Sequence, residues 1–302
     1  MNRFFDDIKQ SFKEGNFLTR LLYINAGVFA VLKLVLLIFT LLGVSTHWVS
    51  YLQMPAFLPS LVQQPWSIIS YMFLHTNFVH AIFNLIALYY LGKLFLTYYN
   101  QKQLVATYIW GGLAGALLYV AGYNLLPYFE AYKIGSYLIG ASASVMAILF
   151  AVVGIAPNNV VRLTLVGNVK LKYLGMAFLV LDLLGLGSVN SGGSMAHIGG
   201  AIMGYIIGYC YQQGTDLSKP ITSILDWLVD HCNIPKTPKK FKVKVNPTQN
   251  MSDAQWNKQQ KEREQLRQER IDQILEKIKK SGYQNLSDEE KKSLFDLSKK
   301  EE

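Results

Sequence analysis

Five side chains carry chemistry that is out of place in the apolar segments holding them. His75, His80 and Asn84 fall within ten residues of one segment, Ser142 lies in the run Gly140, Ala141, Ser142, Ala143, Ser144 of a second, and His197 precedes Gly199 and Gly200 in a third. An imidazole and a hydroxyl brought together can share a proton, and imidazole pairs can hold a metal. At about 100° per residue, His80 and Asn84 lie about 40° apart on one helix face, one turn above each other, whereas His75 points about 140° away from His80. A metal-binding helix prefers histidines at i and i+4, and no HExxH occurs in the chain. Neither a metal nor a cofactor is expected.

Gly200, Gly204 and Gly208 repeat every four residues and leave one bare face on which another helix backbone can lie close. Gly140, Ser144, Ala147 and Ala151 offer a matching face in the second segment. Such faces are common packing devices by themselves. Where these two meet, Ser142 and His197 come within a hydrogen bond of each other.

The elements that must position these residues are set by composition. Of 302 residues, 51% are hydrophobic and 16% charged, against nearer a quarter charged in soluble domains. Residues 1–212 hold 11 Lys/Arg and 5 Asp/Glu, while residues 213–302 hold 18 and 15. The first part is wrong for water and the second is wrong for lipid. Crossing a bilayer takes about 20 mostly apolar residues, and six segments qualify, at roughly 21–43, 69–92, 103–123, 137–156, 171–187 and 194–212. Each satisfies its own backbone only as a helix. The first 20 residues are too polar for a cleavable signal peptide, so the first apolar run is expected to stay in the mature protein.

Lys and Arg gather on the cytoplasmic side of membrane proteins. Arg3, Lys9, Lys13 and Arg20 precede the first span, Lys93 and Lys102 flank the turn after the second, and Arg162, Lys170 and Lys172 surround the turn after the fourth. The alternate turns are nearly bare, which predicts both termini in the cytoplasm. By this count His80, Ser142 and His197 share the outer half of the membrane. The uncharged stretch 44–69, with Trp48, Tyr51, Phe57 and Trp66, reads as an interfacial loop, either an ordinary aromatic belt or a route for substrate.

With His75, His80 and Asn84, Gly140 and Ser142, and Ala196, His197, Gly200 and Gly204 in this order, residues 21–212 resemble the rhomboid family of intramembrane serine proteases. The resemblance implies an all-α polytopic membrane protein, a six-transmembrane-helix bundle in the bacterial cytoplasmic membrane, followed by a polar tail of short helices. It implies Ser142 as nucleophile, His197 as general base, and the Ser142 N–H with His80 and Asn84 as oxyanion hole. His75, Gly140, Met146 and Gly200 become supporting residues, His75 at the cavity entrance. The expected partners are transmembrane protein substrates and the lipid bilayer. Ala143 departs from the glycine usual after the nucleophile, Met146 replaces a frequent tyrosine that stacks on the histidine, and Ser67 replaces the arginine of a frequent Trp-Arg pair in the first loop. Ala143 and Met146 are the features favouring an alternative, a catalytically weak or inactive rhomboid-like protein that binds membrane segments.

Lys33 and Asp182 each lie about a dozen residues from the cytoplasmic end of their spans. They either pair or are solvated separately by water or snorkelling. By this depth Asp182 is too deep to orient His197. An aspartyl protease needs two membrane carboxylates where only Asp182 is available, and a transporter would show an inverted repeat or Pro-broken spans, of which none is visible.

The division expected is a cytoplasmic N-terminal segment (1–20), the six-span domain (21–212), a linker (213–251) with an amphipathic piece at 221–229, and a cytoplasmic helical tail (252–302). Lys239, Lys240, Lys242 and Lys244 suit either an anionic lipid surface or a solvated linker. The positive charge is too dispersed for nucleic acid. Cys210 and Cys232 cannot form a disulfide scaffold and are expected reduced. The partner of the tail is not legible.

Overall fold

The computed structural model describes residues 10–12, 15–75, 77–163, 167–188 and 190–231, with 272, 276 and 278. The described residues up to His231 belong to one compact unit, residues 1–237. Cys232, the charges at Arg3, Lys9 and Lys13, the basic run at 239–244 and nearly all of the expected tail helices lie outside the described residues.

The helices that build the unit are α1 (Phe17–Leu41), the short α2 (Leu58–Gln63) and α3 (Ser67–Ser70), α4 (Phe78–Phe95), α5 (Gln101–Leu125), α6 (Ser142–Ile155), α7 (Leu171–Gly185), α8 (Ser191–Gln212) and α9 (Lys219–His231). Asparagine precedes four of them, and at three its side chain caps the helix. Asn16 accepts from the Thr19 N–H, Asn77 accepts from the His80 N–H, and Asn100 forms a capping box with Gln103. Each cap satisfies donors that the first helical turn leaves unpaired.

Helices α5, α6 and α8 pack on one another at the centre, with α4 and α7 against α6, and α1 against α4 and α5. Ala143 through Gly154 of α6 are all buried. Its 14 residues span only about 21 Å, less than a bilayer core of about 30 Å, which is tolerable because protein surrounds it. By length and composition α1, α4 and α5 are each able to cross a membrane. Leu34, Leu41, Phe83, Leu117 and Leu184 point outward with most of their surface uncovered, an apolar exterior that lipid solvates and water would not. The chain is therefore an all-α polytopic membrane bundle.

Among the described residues, two short antiparallel strand pairs interrupt the helices. β1 (Met54–Pro55) pairs with β2 (Tyr137–Leu138), and β3 (Val160–Leu163) forms a hairpin with β4 (Gly167–Lys170). The sequence reading missed both. The fourth apolar run starts as strand β2 and becomes helical only at Ser142, and the second takes in the end of α3 and a 3-10 turn at Tyr71–Phe73 before α4 opens at Phe78. Apolar composition marks what is buried, and short buried strands share it with helices.

Besides the β1–β2 pairing, residues 44–70 are tied together by side-chain bonds. Trp66 Nε1 donates to Tyr51 O at 2.7 Å, Gln64 Nε2 to Gln53 O at 3.1 Å and Ser70 Oγ to Leu52 O at 2.6 Å, while Tyr51, Leu58, Val62 and Trp66 face outward. The start of the expected linker is also structured. Helix α9 rests on α5, where Trp110 Nε1 donates to Leu217 O at 3.1 Å and Lys102 pairs with Asp226.

Candidate functional site

Ser142 is the first residue of α6, and the Ala141 side chain before it supplies no cap. The opening N–H groups of α6 thus stay available, at the end where the helix dipole favours negative charge. Gly140 precedes this turn at φ +131°, a conformation that L side chains rarely adopt, and its N–H donates to Tyr71 O at 3.0 Å. Tyr71 is held in turn by its hydroxyl, which donates to Gly112 O of α5 at 2.6 Å. A methyl group on Gly140 would lie 2.9 Å from His80 Cε1 and 3.5 Å from Ser142 Oγ, so glycine admits the imidazole and the hydroxyl to the same small space.

His197 enters from α8. A side chain at Gly200 would overlap the Ala143 carbonyl of α6, one at Gly204 the Ala147 carbonyl and one at Gly208 the Ala151 carbonyl. Close approach along this seam brings His197 Nε2 to 2.6 Å from Ser142 Oγ. The facing row is Ala143, Ala147 and Ala151. Gly140 and Ser144, expected in that row, are not part of it: Gly140 lies outside α6, which starts two residues later, and Ser144 is turned one residue off the row toward Gly111 of α5.

Asp182 corrects two readings of the sequence. Its Oδ1 lies 2.7 Å from His197 Nδ1, and Lys33 lies instead with its ammonium 5.8 Å from the Phe29 ring centroid. Asp182 is not too deep for His197. Helix α7 has only 15 residues, about 22 Å, so a position a dozen residues from one end is already near the other. The signal that could have found the contact was present, since Asp182 is the one acidic residue between Glu130 and Asp216 and a carboxylate there needs a partner.

His80 and Asn84 share a face of α4 one turn apart, and Asn84 Nδ2 donates to His80 O at 2.9 Å with one of its two N–H bonds. His75 does not belong to that helix. It precedes the Asn77 cap, so the helical angle expected between it and His80 does not apply. It is buried, edge-on to His80 at 5.5 Å between ring centroids and to Phe29 at 6.3 Å. Met146 is buried one turn beyond Ser142. The methyl of Ala143 meets α5 at Gly115, where a Cβ would stand 2.7 Å from it, and Ala143 is 1% exposed.

An apolar helical bundle with a serine and a histidine joined at the ends of its inner helices defines a polytopic membrane protein with a hydroxyl-imidazole site. Residues 62–214, just over half of the chain, match the Rhomboid domain, and the chain belongs to the rhomboid family. Its members are in general serine proteases that act on membrane proteins in the bilayer. Residues 252–300 match a second family, a family of unknown function (DUF6576). No curated protein matches the chain.

Proposed function

We propose that this protein is an intramembrane serine endopeptidase that cleaves membrane proteins within or beside a transmembrane segment, using Ser142 and His197. The observation that carries the reading is the 2.6 Å contact between His197 Nε2 and Ser142 Oγ, within the reach a general base needs. The Ser142 oxygen attacks the scissile carbonyl carbon while His197 Nε2 takes the hydroxyl proton. Collapse of the tetrahedral intermediate breaks the C–N bond, and His197 returns that proton to the leaving amine. Water then hydrolyses the acyl ester, with His197 again accepting and returning a proton. The Ser142 N–H at the start of α6, His80 and Asn84 stabilise the oxyanion.

The same reading sets α1, α4, α5, α6, α7 and α8 as six spans with both termini cytoplasmic, on the asymmetry of Lys and Arg between alternate turns. It keeps residues 1–20, 21–212, 213–251 and 252–302 as N-terminal segment, protease domain, linker and tail. Burial of the Ala143 methyl against Gly115 supports activity, since the added group does not obstruct the hydroxyl. The test is cleavage of a single-span reporter in proteoliposomes. Ser142→Ala and His197→Ala are expected to abolish it in folded protein, and a serine-reactive phosphonate is expected to label Ser142. Undiminished cleavage by both variants overturns the assignment; absent labelling supports the non-proteolytic alternative.

A further inference from the structure

We propose that Asp182 is the positioning residue for His197, so that the site is a serine–histidine–aspartate triad assembled from α6, α8 and α7. This rests on the protease reading and adds to it a residue that reaches the substrate only through the imidazole.

Three observations converge. His197 bridges the other two groups, with Nδ1 2.7 Å from Asp182 Oδ1 and Nε2 2.6 Å from Ser142 Oγ. An ionised carboxylate only accepts hydrogen bonds, so it fixes the ring proton on Nδ1 and leaves the Nε2 lone pair facing the hydroxyl. The other tautomer presents Nε2–H to Ser142 and cannot take its proton.

The carboxylate is also badly placed for anything else. Asp182 is 8% exposed, its Oδ2 is buried with no hydrogen-bond partner, and it stands in the last turn of α7, where the helix dipole disfavours negative charge. A buried acid in that position needs a compensating charge, and the group beside it becomes cationic when it takes the serine proton. The interaction therefore strengthens as the transition state forms, which is the condition for accelerating the chemical step.

The backbone is arranged to hold the pair. Residues 186–190 join α7 to α8, with Ser188 Oγ donating to Gly185 O at 2.7 Å and the Asn190 N–H donating to Ser188 Oγ at 3.2 Å. A side chain at Gly185 would overlap Ser194 Oγ. Gly185 and Asp182 are three apart on α7, as Ser194 and His197 are on α8, so the close approach lies one turn from the carboxylate–imidazole contact.

The experiment uses the full-length protein in proteoliposomes with the single-span reporter, comparing Asp182→Asn, Asp182→Glu and Ser142→Ala with the native chain. In soluble serine proteases with this geometry the Asp→Asn change lowers kcat about 10⁴-fold through the wrong tautomer. Here Asp182→Asn is expected to lower kcat on the order of 10²- to 10⁴-fold with KM nearly unchanged, and Asp182→Glu to recover part of the loss. The native protein in detergent is expected to give a low-field proton resonance for the Nδ1–H, absent from His197→Ala. That reading needs no variant at 182 to fold, and absence of the resonance overturns the proposal. So does an Asp182→Asn kcat within about threefold of native, a fraction of the loss expected from the tautomer argument. If Ser142→Ala retains activity the protease reading falls; if it abolishes cleavage while Asp182→Asn leaves it intact, only the triad falls.

Discussion

Gly200 of α8 lies against the carbonyl of Ala143 so closely that no side chain fits between them. This contact is one turn from His197 on α8 and one residue from Ser142 on α6, so it sets the distance between imidazole and hydroxyl. Gly200→Ala is expected to destabilise the protein by about 1–3 kcal/mol through overpacking, and Gly200→Val by more. Phosphonate labelling of Ser142 should fall in both. Thermal unfolding in detergent measures the first effect and the labelling rate the second; a Gly200→Val protein with native labelling would show that the seam does not position the site.

The Ala143 methyl and the bare Gly115 form a complementary pair across α5 and α6. Gly115→Ala should cost about 1–3 kcal/mol, because its new methyl meets both Ala143 and the Ala196 carbonyl. Ala143→Gly should cost about 1 kcal/mol from helix propensity while leaving kcat within a few-fold. Combined, the two changes should destabilise by less than their sum, with the contact to Ala196 O remaining. A double-mutant cycle on unfolding checks this, and strict additivity would place the methyl elsewhere.

The serine–histidine meeting was legible because it depends on local spacing: a four-residue glycine repeat produces a helix face wherever the helix lies. The register of the partner face was not. The sequence puts Gly140 in a helix, whereas the Gly140 N–H is bonded to Tyr71 O nearly seventy residues away and the helix starts only at Ser142. A contact so distant in sequence leaves no local pattern. The depth of Asp182 is not legible for a different reason, since depth counted from one membrane surface assumes spans of equal length and α7 is short. The sequence places His75 on the helix of His80 because an apolar run conceals the 3-10 turn and the Asn77 cap that break it.

His80 is held in place by its own helix start, its N–H donating to the Asn77 side chain at 2.8 Å, and Asn84 bonds back to its carbonyl. If the two side chains donate to the oxyanion, His80→Ala and Asn84→Ala should each lower kcat about 10²- to 10³-fold and leave residual cleavage. Ser142→Ala should leave none. Single-turnover cleavage of the reporter separates these outcomes, and a kcat within about threefold of native for both variants would remove them from the oxyanion hole, where a lost donor costs far more.

Gly140 unites two constraints that a single methyl would break. Its φ of +131° lies where other residues pay backbone strain, about 1–3 kcal/mol, and the added carbon would stand 2.9 Å from His80 Cε1 and 3.2 Å from its Nε2. Relief requires either the His80 ring or the turn leading into Ser142 to move, and both belong to the proposed oxyanion site. A displacement near 1 Å at a reacting centre can cost about 10²-fold in rate. Gly140→Ala should therefore lose at least that much kcat while its melting temperature drops only modestly, since Tyr71 and α5 still anchor the turn. The reverse pattern, native kcat with a large drop in melting temperature, would mean that Gly140 serves the fold alone.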